Sequence, residues 1–277
     1  MKKIKVCYSN VNNMGDMLNK DLLEYLFNCE VKQSSHYNAD LIAIGSGLST
    51  YLFDCSTIKN IKKIILGIIH PKVYVWGTGF LNYNNNNANE KFYKKQIKIC
   101  SVRGNLTKKR IEKILGKKID VPTGDGGLLS SYLLEEMPAQ KYDLGIIPHF
   151  REKDDKIFLE LQRHIPNSII IDVQDSPINV IKKIAECKNI LSSSLHGLII
   201  SDSLNIPNLH IVVSNKLLGD GYKFDDYYSA YNIKHYYIPK KNIENFNIED
   251  IKKNYKIKKE DVEKKQKDLL ECFPFKN

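Results

Sequence analysis

Three consecutive serines followed by a histidine form the segment of this sequence best suited to chemistry. Ser192, Ser193 and Ser194 come after the apolar strand end 188–191, and His196 lies two residues beyond the last serine. This order is typical of a strand, a tight turn and a helix start. Because the N–H groups and the positive dipole end of a helix bind anions, the segment predicts an anion site beside His196. In the alternative interpretation the serines only cap a core helix, and His196 is a hydrogen-bonded core residue.

Small polar turns follow several other predicted strands, which suits close approach of a ligand to backbone N–H groups. These turns are Gly45-Ser46-Gly47 after strand 39–44, Gly77-Thr78-Gly79 after strand 73–76, Arg103-Gly104 after strand 98–102, and 121–127, which contains Asp125. Asp125 is interpreted equally well as a ligand-binding group or as a side chain that holds neighbouring backbone. Asp16 lies where the first strand, 3–8, gives way to a helical pattern, so it is predicted to be an N-cap.

The second half of the chain repeats this alternation. Apolar periodicity lapses around 135–141, and a new strand ends at Ile147, just before His149 and Arg151. Lys216 follows a later strand, 209–213. His149, Arg151, His196 and Lys216 are therefore predicted to lie on one rim, since ligands bind at the carboxyl ends of parallel strands.

Strands that alternate with helices predict an α/β fold with parallel sheets. We expect two Rossmann-like domains, 1–138 and 139–277, that face each other across a cleft in a GT-B-like arrangement. The basic helix Asn105–Leu115 belongs to the first domain, and an amphipathic helix over 258–272 closes the fold.

Charge and cysteine usage exclude several classes of protein. The net charge is +10, but lysines alternate with acidic residues as on a solvated face, and no basic block with stacking aromatics predicts nucleic-acid binding. The charge suits a phosphorylated substrate or a weak peripheral association with anionic lipid. Six cysteines without a C-x-x-C pair predict neither a zinc site nor a disulfide framework. The longest early apolar run, Ile64–Ile69, is too short to span a membrane, so we expect a cytoplasmic protein.

Six motifs occur in an order that resembles the polysaccharide pyruvyl transferase family, most closely its short exopolysaccharide ketal-pyruvate transferases. They extend from residue 14 to about residue 230, and neither 82–89 nor the tail after 231 takes part. The motifs are Met14–Asn19, Ser101–Thr107, Gly124–Leu128, Gly145–His149, Ser193–Gly197 and Lys223–Tyr228.

The resemblance implies transfer of pyruvate from phosphoenolpyruvate (PEP) to a sugar as a cyclic ketal, with phosphate released and no metal or other cofactor required. The acceptor is a polysaccharide or its lipid-linked precursor, which would place the protein at the inner face of the membrane. His196 matches the Leu-His-Gly motif of the family and is the expected acid/base group. Lys216 and Arg103 complete the expected catalytic set, Arg103 having an interdomain salt bridge as its alternative role.

The C-terminal domain is expected to bind PEP and the N-terminal domain the acceptor. The substrate-binding candidates are Ser193, Ser194, Gly197, His149, Arg151, Lys223, Asp16, Gly45, Ser46, Gly47, Gly77, Asp125, Asp226 and Tyr227. Two alternatives stay open: a GT-B nucleotide-sugar glycosyltransferase, in which Asp225 or Asp226 would bind ribose, and an inactive relative that binds sugar phosphates. The sequence leaves the acceptor sugar and the oligomeric state open.

Overall fold

The fold contains two parallel sheets, seen in a computed structural model that describes residues 1–9, 13–53, 57–83, 90–214, 217 and 219–276. The first sheet has the order β2-β1-β3-β4-β5. Its strands are β1 (Lys2–Cys7), β2 (Cys29–Ser34), β3 (Leu41–Ile42), β4 (Lys72–Val75) and β5 (Gln96–Ile99). The helices of this half are α1 (Met14–Phe27), α2 (Thr57–Ile69), α3 (Asn105–Leu115) and the 3-10 helices Gly47–Tyr51 and Gly126–Leu133.

The second sheet repeats the topology of the first, with the order β7-β6-β8-β9-β10. Its strands are β6 (Leu144–Ile147), β7 (Ser168–Ile170), β8 (Ile190–Ser192), β9 (Asn208–Val212) and β10 (Tyr237–Pro239). The helices of this half are α4 (Lys156–His164), α5 (Pro177–Ala185), α6 (Leu195–Ser203), α7 (Tyr222–Ser229), the 3-10 helix Lys240–Asn245, α8 (Ile248–Asn254) and α9 (Lys259–Glu271).

Each sheet changes winding direction next to its first strand. β1 pairs with both β2 and β3, and β6 pairs with both β7 and β8. Such a switch point leaves a crevice at the carboxyl ends of the two central strands, where ligands of open α/β sheets bind. The fold therefore contains two equivalent crevices, one after β1 and β3 and one after β6 and β8.

One buried hydrophobic cluster joins the two halves. It includes Val6 and Leu18 from the first half and Ile147 and Ile199 from the second. Helix α9 returns to the first sheet, where the Trp76 indole N–H donates to the backbone oxygen of Leu269 over 2.9 Å. The two crevices are thus held in a defined relation by a shared core.

The α/β fold with parallel sheets confirms the prediction from strand and helix alternation. Helix α3 has the predicted bounds, and the GT-B-like arrangement of the halves stays a prediction. The assignment of Asp16 as an N-cap was wrong, because α1 begins at Met14 and Asn13 accepts the capping bond from the Gly15 N–H over 3.0 Å. Within the described ranges, no helix combines the length and the apolar character needed to cross a bilayer.

Candidate functional site

The crevices of the two sheets open into one cavity of about 260 Å³. The first half contributes the segments after β1 and β3, and the second half contributes those after β6 and β8, together with α7. The lining residues are Ser9, Asn13, Asp16, Gly45, Ser46, Leu81, His149, Phe150, Arg151, Ser194, Leu195, His196 and Lys223. Two helices, α1 and α6, begin at this cavity, and both direct their N-terminal dipole ends towards it.

The serines after β8 build the turn and leave the start of α6 open to the cavity. The Ser192 hydroxyl donates to the Ile147 carbonyl over 3.1 Å and accepts from the Ser194 N–H over 2.9 Å. The Ser193 hydroxyl accepts from the His149 N–H over 2.9 Å. Ser194 is the N-cap residue of α6, but its side chain makes no capping bond. The serine triplet thus stabilises the turn with two hydroxyls and presents the third to the cavity.

His196 lies in the first turn of α6, against the first turn of α1. A Cβ atom at Gly15 would lie 2.1 Å from the His196 Nδ1, so only glycine admits the ring at this position. The Nε2 atom of His196 is buried and has no hydrogen-bond partner in the described part of the chain. Burial, together with the positive Lys223 and Arg103 nearby, lowers the pKa of His196 to about 3. His196 is therefore a neutral, incompletely paired imidazole at pH 7.

His149 is the second imidazole of the cavity. Its Nδ1 accepts a bond from the Arg151 N–H over 3.2 Å, so the neutral ring carries its proton on Nε2. Burial and the positive charges of Lys223 and Arg151 lower the pKa of His149 to about 3. Two neutral imidazoles thus line a cavity that also contains cations, which is an arrangement that a bound anion would stabilise.

Lys223 and Asp16 supply opposite charges to the same space. Burial, and then the nearby Arg103, lowers the pKa of Lys223 to about 8. Burial raises the pKa of Asp16 to about 6, although the Asn13 amide donates to its Oδ2 over 2.6 Å. No ion pair of Lys223 is found among the described residues. Its ammonium group is therefore available to an anionic ligand.

Arg103 is paired and hydrogen-bonded within the protein. Its side chain is fully buried, and its Nε donates to the Asp226 Oδ2 over 2.9 Å. The guanidinium also donates to the Ser46 hydroxyl over 2.7 Å and to the Phe80 carbonyl over 2.7 Å. Asp226 in turn accepts from both the N–H and the hydroxyl of Thr107 over 2.7 Å. The structure thus contains a salt bridge of Arg103 between the two halves, and the predicted catalytic role of this residue stays a prediction.

A second buried carboxylate secures the other side of α7. Asp202, near the end of α6, accepts bonds from the Tyr227 hydroxyl over 2.6 Å, the Asn208 amide over 2.6 Å and the Tyr255 hydroxyl over 2.9 Å. Asp226 and Tyr227 therefore fix α7 to both halves of the molecule. This positions Lys223, one turn earlier on the same helix, at the cavity.

The structure brings eight of the seventeen predicted site residues together. His149, Arg151, Ser194, His196, Lys223, Asp16, Gly45 and Ser46 all line the cavity. Lys216 lies outside the described residues, so its predicted role stays a prediction.

The remaining predicted residues support the walls of the site rather than line it. Gly77 has a φ of +62° and leaves room for the Gly126 backbone, while a Cβ at Gly197 would lie 2.5 Å from the Ser192 hydroxyl. Asp125 accepts the Gly127 N–H over 2.9 Å, as in the alternative interpretation of that residue. Gly47 begins a 3-10 helix, and Ser193, Asp226 and Tyr227 are buried by protein contacts.

Sequence reasoning missed several residues of the cavity. Asn13 both caps α1 and reaches the site, and its position in a turn before a helical pattern was a usable signal. Leu195 is part of the Leu-His-Gly motif but was given no role, and Ser9, Leu81 and Phe150 had no comparable signal. Glu152 is 2% exposed. Its negative charge partly offsets the lowered pKa of Lys223, but no motif marked it.

The chain is similar to several known proteins. An uncharacterized protein of Acanthamoeba polyphaga mimivirus is 30% identical over 231 residues, which cover 80% of this chain and 72% of the relative. A functionally uncharacterized protein of Klebsiella pneumoniae, known from its crystal structure, aligns with a TM-score of 0.45 and 15% identity over 83% of this chain and 87% of its own. The family model for polysaccharide pyruvyl transferases matches residues 2–215, and this chain therefore belongs to the polysaccharide pyruvyl transferase family.

Proposed function

We propose that the protein transfers pyruvate from PEP to two hydroxyls of a saccharide as a cyclic ketal and releases phosphate. Family membership supports a transferase that acts on polysaccharide. The observation that carries the finer proposal is His196, whose buried Nε2 has no partner at a cavity that also contains Lys223 and the start of α6. An anion bound there would pair with the Lys223 ammonium and with the positive dipole end of α6.

PEP carries a phosphate and a carboxylate, so its site needs several cationic or N–H donors. The α6 start with the free Ser194 hydroxyl supplies N–H and O–H donors, and Lys223 and Arg151 supply positive charge. Because the neighbouring cations contribute to the low pKa of His196, a bound dianion would offset their effect and raise that pKa. PEP would thus prepare the imidazole to hold a proton.

His196 acts as the acid/base group in this scheme. The imidazolium donates its proton to the methylene carbon of PEP, which becomes the methyl group, and C2 becomes electrophilic. A saccharide hydroxyl attacks C2, and the neutral imidazole accepts the hydroxyl proton. Phosphate then leaves with its bonding electrons, the second hydroxyl closes the ring on C2, and its proton departs with phosphate. The sum is PEP plus a diol giving a ketal plus phosphate.

The acceptor would lie on the side of the first half. Asp16 and the Ser46 hydroxyl face the cavity from there, and a carboxylate is a strong acceptor for saccharide hydroxyls. Since the Asp16 pKa is about 6, its carboxylate is mostly ionised at pH 7. It would orient the attacking hydroxyl towards C2 and favour its deprotonation.

The test is incubation of the protein with PEP and a panel of saccharides, free and lipid-linked. We expect phosphate release that depends on the acceptor, together with an acceptor whose mass increases by one ketal-linked pyruvate. Loss of phosphate release when the acceptor is omitted separates transfer from simple PEP hydrolysis. No turnover with any acceptor, together with tight binding of a nucleotide sugar, would instead support glycosyl transfer.

A further inference from the structure

Helix α2 exposes its apolar side to solvent, in reverse of the usual arrangement of a surface helix. Five isoleucines repeat at the spacing of one helical face, and each is between 49% and 59% exposed. They are Ile61, Ile64, Ile65, Ile68 and Ile69. We call these five residues the isoleucine face. For contrast, α5 buries its apolar positions Val180, Ile181 and Ile184.

The inner side of α2 explains why the isoleucines point outwards. Over residues 59–69 of the helix, the buried residues are Lys63 and Gly67. A Cβ atom at Gly67 would lie 2.7 Å from the Tyr93 carbonyl, so the helix packs closely on that loop through its glycine. The Lys63 ammonium lies 5.6 Å from the centre of the Tyr93 ring. This ammonium also donates to the backbone carbonyl of Leu52, so a glycine and a buried lysine attach the helix and the isoleucines remain exposed.

Lysines dominate the surroundings of the isoleucine face, and Glu90, which precedes Lys91, is paired with Arg110. Residues 57–72 contain four lysines and no acidic residue, and residues 91–98, which adjoin the helix, contain four more and again no acidic residue. The exposed lysines are Lys59, Lys62, Lys72, Lys91, Lys95 and Lys98. Over most of the chain lysines alternate with carboxylates, and the region around α2 is one of the exceptions.

We propose that the isoleucine face docks α2 onto the surface of an anionic lipid bilayer. A helix with one apolar face and flanking lysines lies in the plane of the interface, the apolar residues entering the acyl boundary and the lysines meeting lipid phosphates. At 13 residues, the helix is only about 20 Å long, which suits lying on a bilayer and not crossing it. This proposal does not rest on the pyruvyl transfer reaction.

The charge distribution decides between lipid and a second copy of this chain. In a two-fold interface through α2, each lysine cluster would face the same cluster on the partner, and like charges repel. An anionic bilayer offers phosphates at the level of the lysines and hydrocarbon at the level of the isoleucines. The lipid surface satisfies both features of the helix at once.

The experiment is cosedimentation of the full chain with vesicles of phosphatidylcholine alone and with vesicles that also contain anionic phosphatidylglycerol. We expect binding to the anionic vesicles that falls at high salt. Ile64→Glu/Ile68→Glu should reduce it by at least about tenfold, since charged residues are costly in an apolar environment. The matched control is Leu159→Glu on α4, a position that is also 50% exposed, which should leave binding unchanged.

A second readout does not depend on a disruptive variant. The only tryptophan, Trp76, is fully buried, so Ile65→Trp introduces a reporter at the proposed contact. Its emission should shift to the blue with anionic vesicles and be quenched by brominated acyl chains. Absence of vesicle binding, or equal losses in the Ile64/Ile68 and Leu159 variants, would overturn the proposal. A concentration-dependent dimer that Ile64→Glu/Ile68→Glu dissociates, without vesicle binding, would assign the face to self-association.

Discussion

Two groups of buried ionisable side chains in this molecule differ in how completely they are paired within the protein. At the cavity, burial shifts the pKa values of His149, His196, Lys223 and Asp16 in the direction that favours the uncharged form of each group. Behind it, the Arg103–Asp226 pair is fully buried and closed, because each side chain makes several hydrogen bonds to protein groups.

The difference shows which charges serve the fold and which are available to a ligand. Burying a charge is unfavourable unless it is paired and hydrogen-bonded. The Arg103–Asp226 pair meets that requirement within the protein and fixes α7. The cavity groups are only partly paired and hydrogen-bonded within the protein, and a negatively charged ligand would provide the remaining interactions. Substitutions in the two groups should therefore have separable effects on activity and stability.

The largest effect on activity is expected at His196. His196→Ala should lower the rate of pyruvyl transfer by about 10²–10⁴-fold, the usual contribution of a positioned acid/base group. The thermal midpoint should change little, because Nε2 has no hydrogen bond to lose. Initial rates of phosphate release and a thermal melt measure both quantities. His164→Ala, at an exposed histidine of α4, is the control, and full activity of His196→Ala would assign the acid/base role elsewhere.

The largest effect on stability is expected in the closed pair. Asp226→Asn leaves the buried Arg103 guanidinium uncompensated, which should cost about 3–5 kcal/mol of unfolding free energy. For a chain of this size the melting temperature should fall by roughly 10 °C. Asp225→Asn is a matched control at the adjacent, 38% exposed carboxylate, and its melting temperature should fall much less. An equal decrease of the melting temperature in both variants would show that the Arg103–Asp226 pair contributes no more to stability than the exposed carboxylate does.

The sequence predicted the scaffold of the site better than its electrostatics. Strand ends, small-residue turns and helix starts are local patterns, and they placed Ser194, His149 and Gly45 on one cavity. Whether a buried cation is already paired with a carboxylate depends instead on contacts between residues that are far apart in the sequence. Arg103 and Asp226 are 123 residues apart, and the contact of Gly15 with His196 crosses both halves. Strands β2 and β10 also escaped prediction.

A smaller effect on activity is expected at Lys223, whose role depends on pH. With a pKa of about 8, Lys223 is charged at pH 7 and loses its proton as the pH rises through 8. The kcat/KM for PEP should therefore fall above pH 8. Lys223→Met should lower it about 10- to 100-fold at pH 7, as expected for loss of a charged hydrogen bond. Lys223→Arg keeps the charge at every accessible pH, so its profile should lack the decline. An unchanged decline in that variant would exclude Lys223 as its source.

The smallest effect concerns Asp125, a buried carboxylate outside the cavity whose Oδ2 has no partner among the described residues. Burial raises its pKa from 3.8 to about 7 in the folded protein. Between pH 4 and pH 7 the unfolded chain therefore releases this proton before the folded one does, and the stability of the wild type should decrease as the pH rises. Between pH 4 and pH 7 this contribution separates the wild type from a variant that lacks the titration.

Asp125→Asn is such a variant, and it keeps an oxygen that accepts the Gly127 N–H. Urea unfolding at several pH values gives the unfolding free energy of both proteins. The variant should gain stability relative to the wild type as the pH rises from 4 to 7, and the difference should be constant above pH 7. Asp120→Asn, at an exposed carboxylate of the preceding loop, is the control. A constant difference for Asp125→Asn from pH 4 to pH 8 would mean that Asp125 ionises in the folded protein as readily as in the unfolded chain.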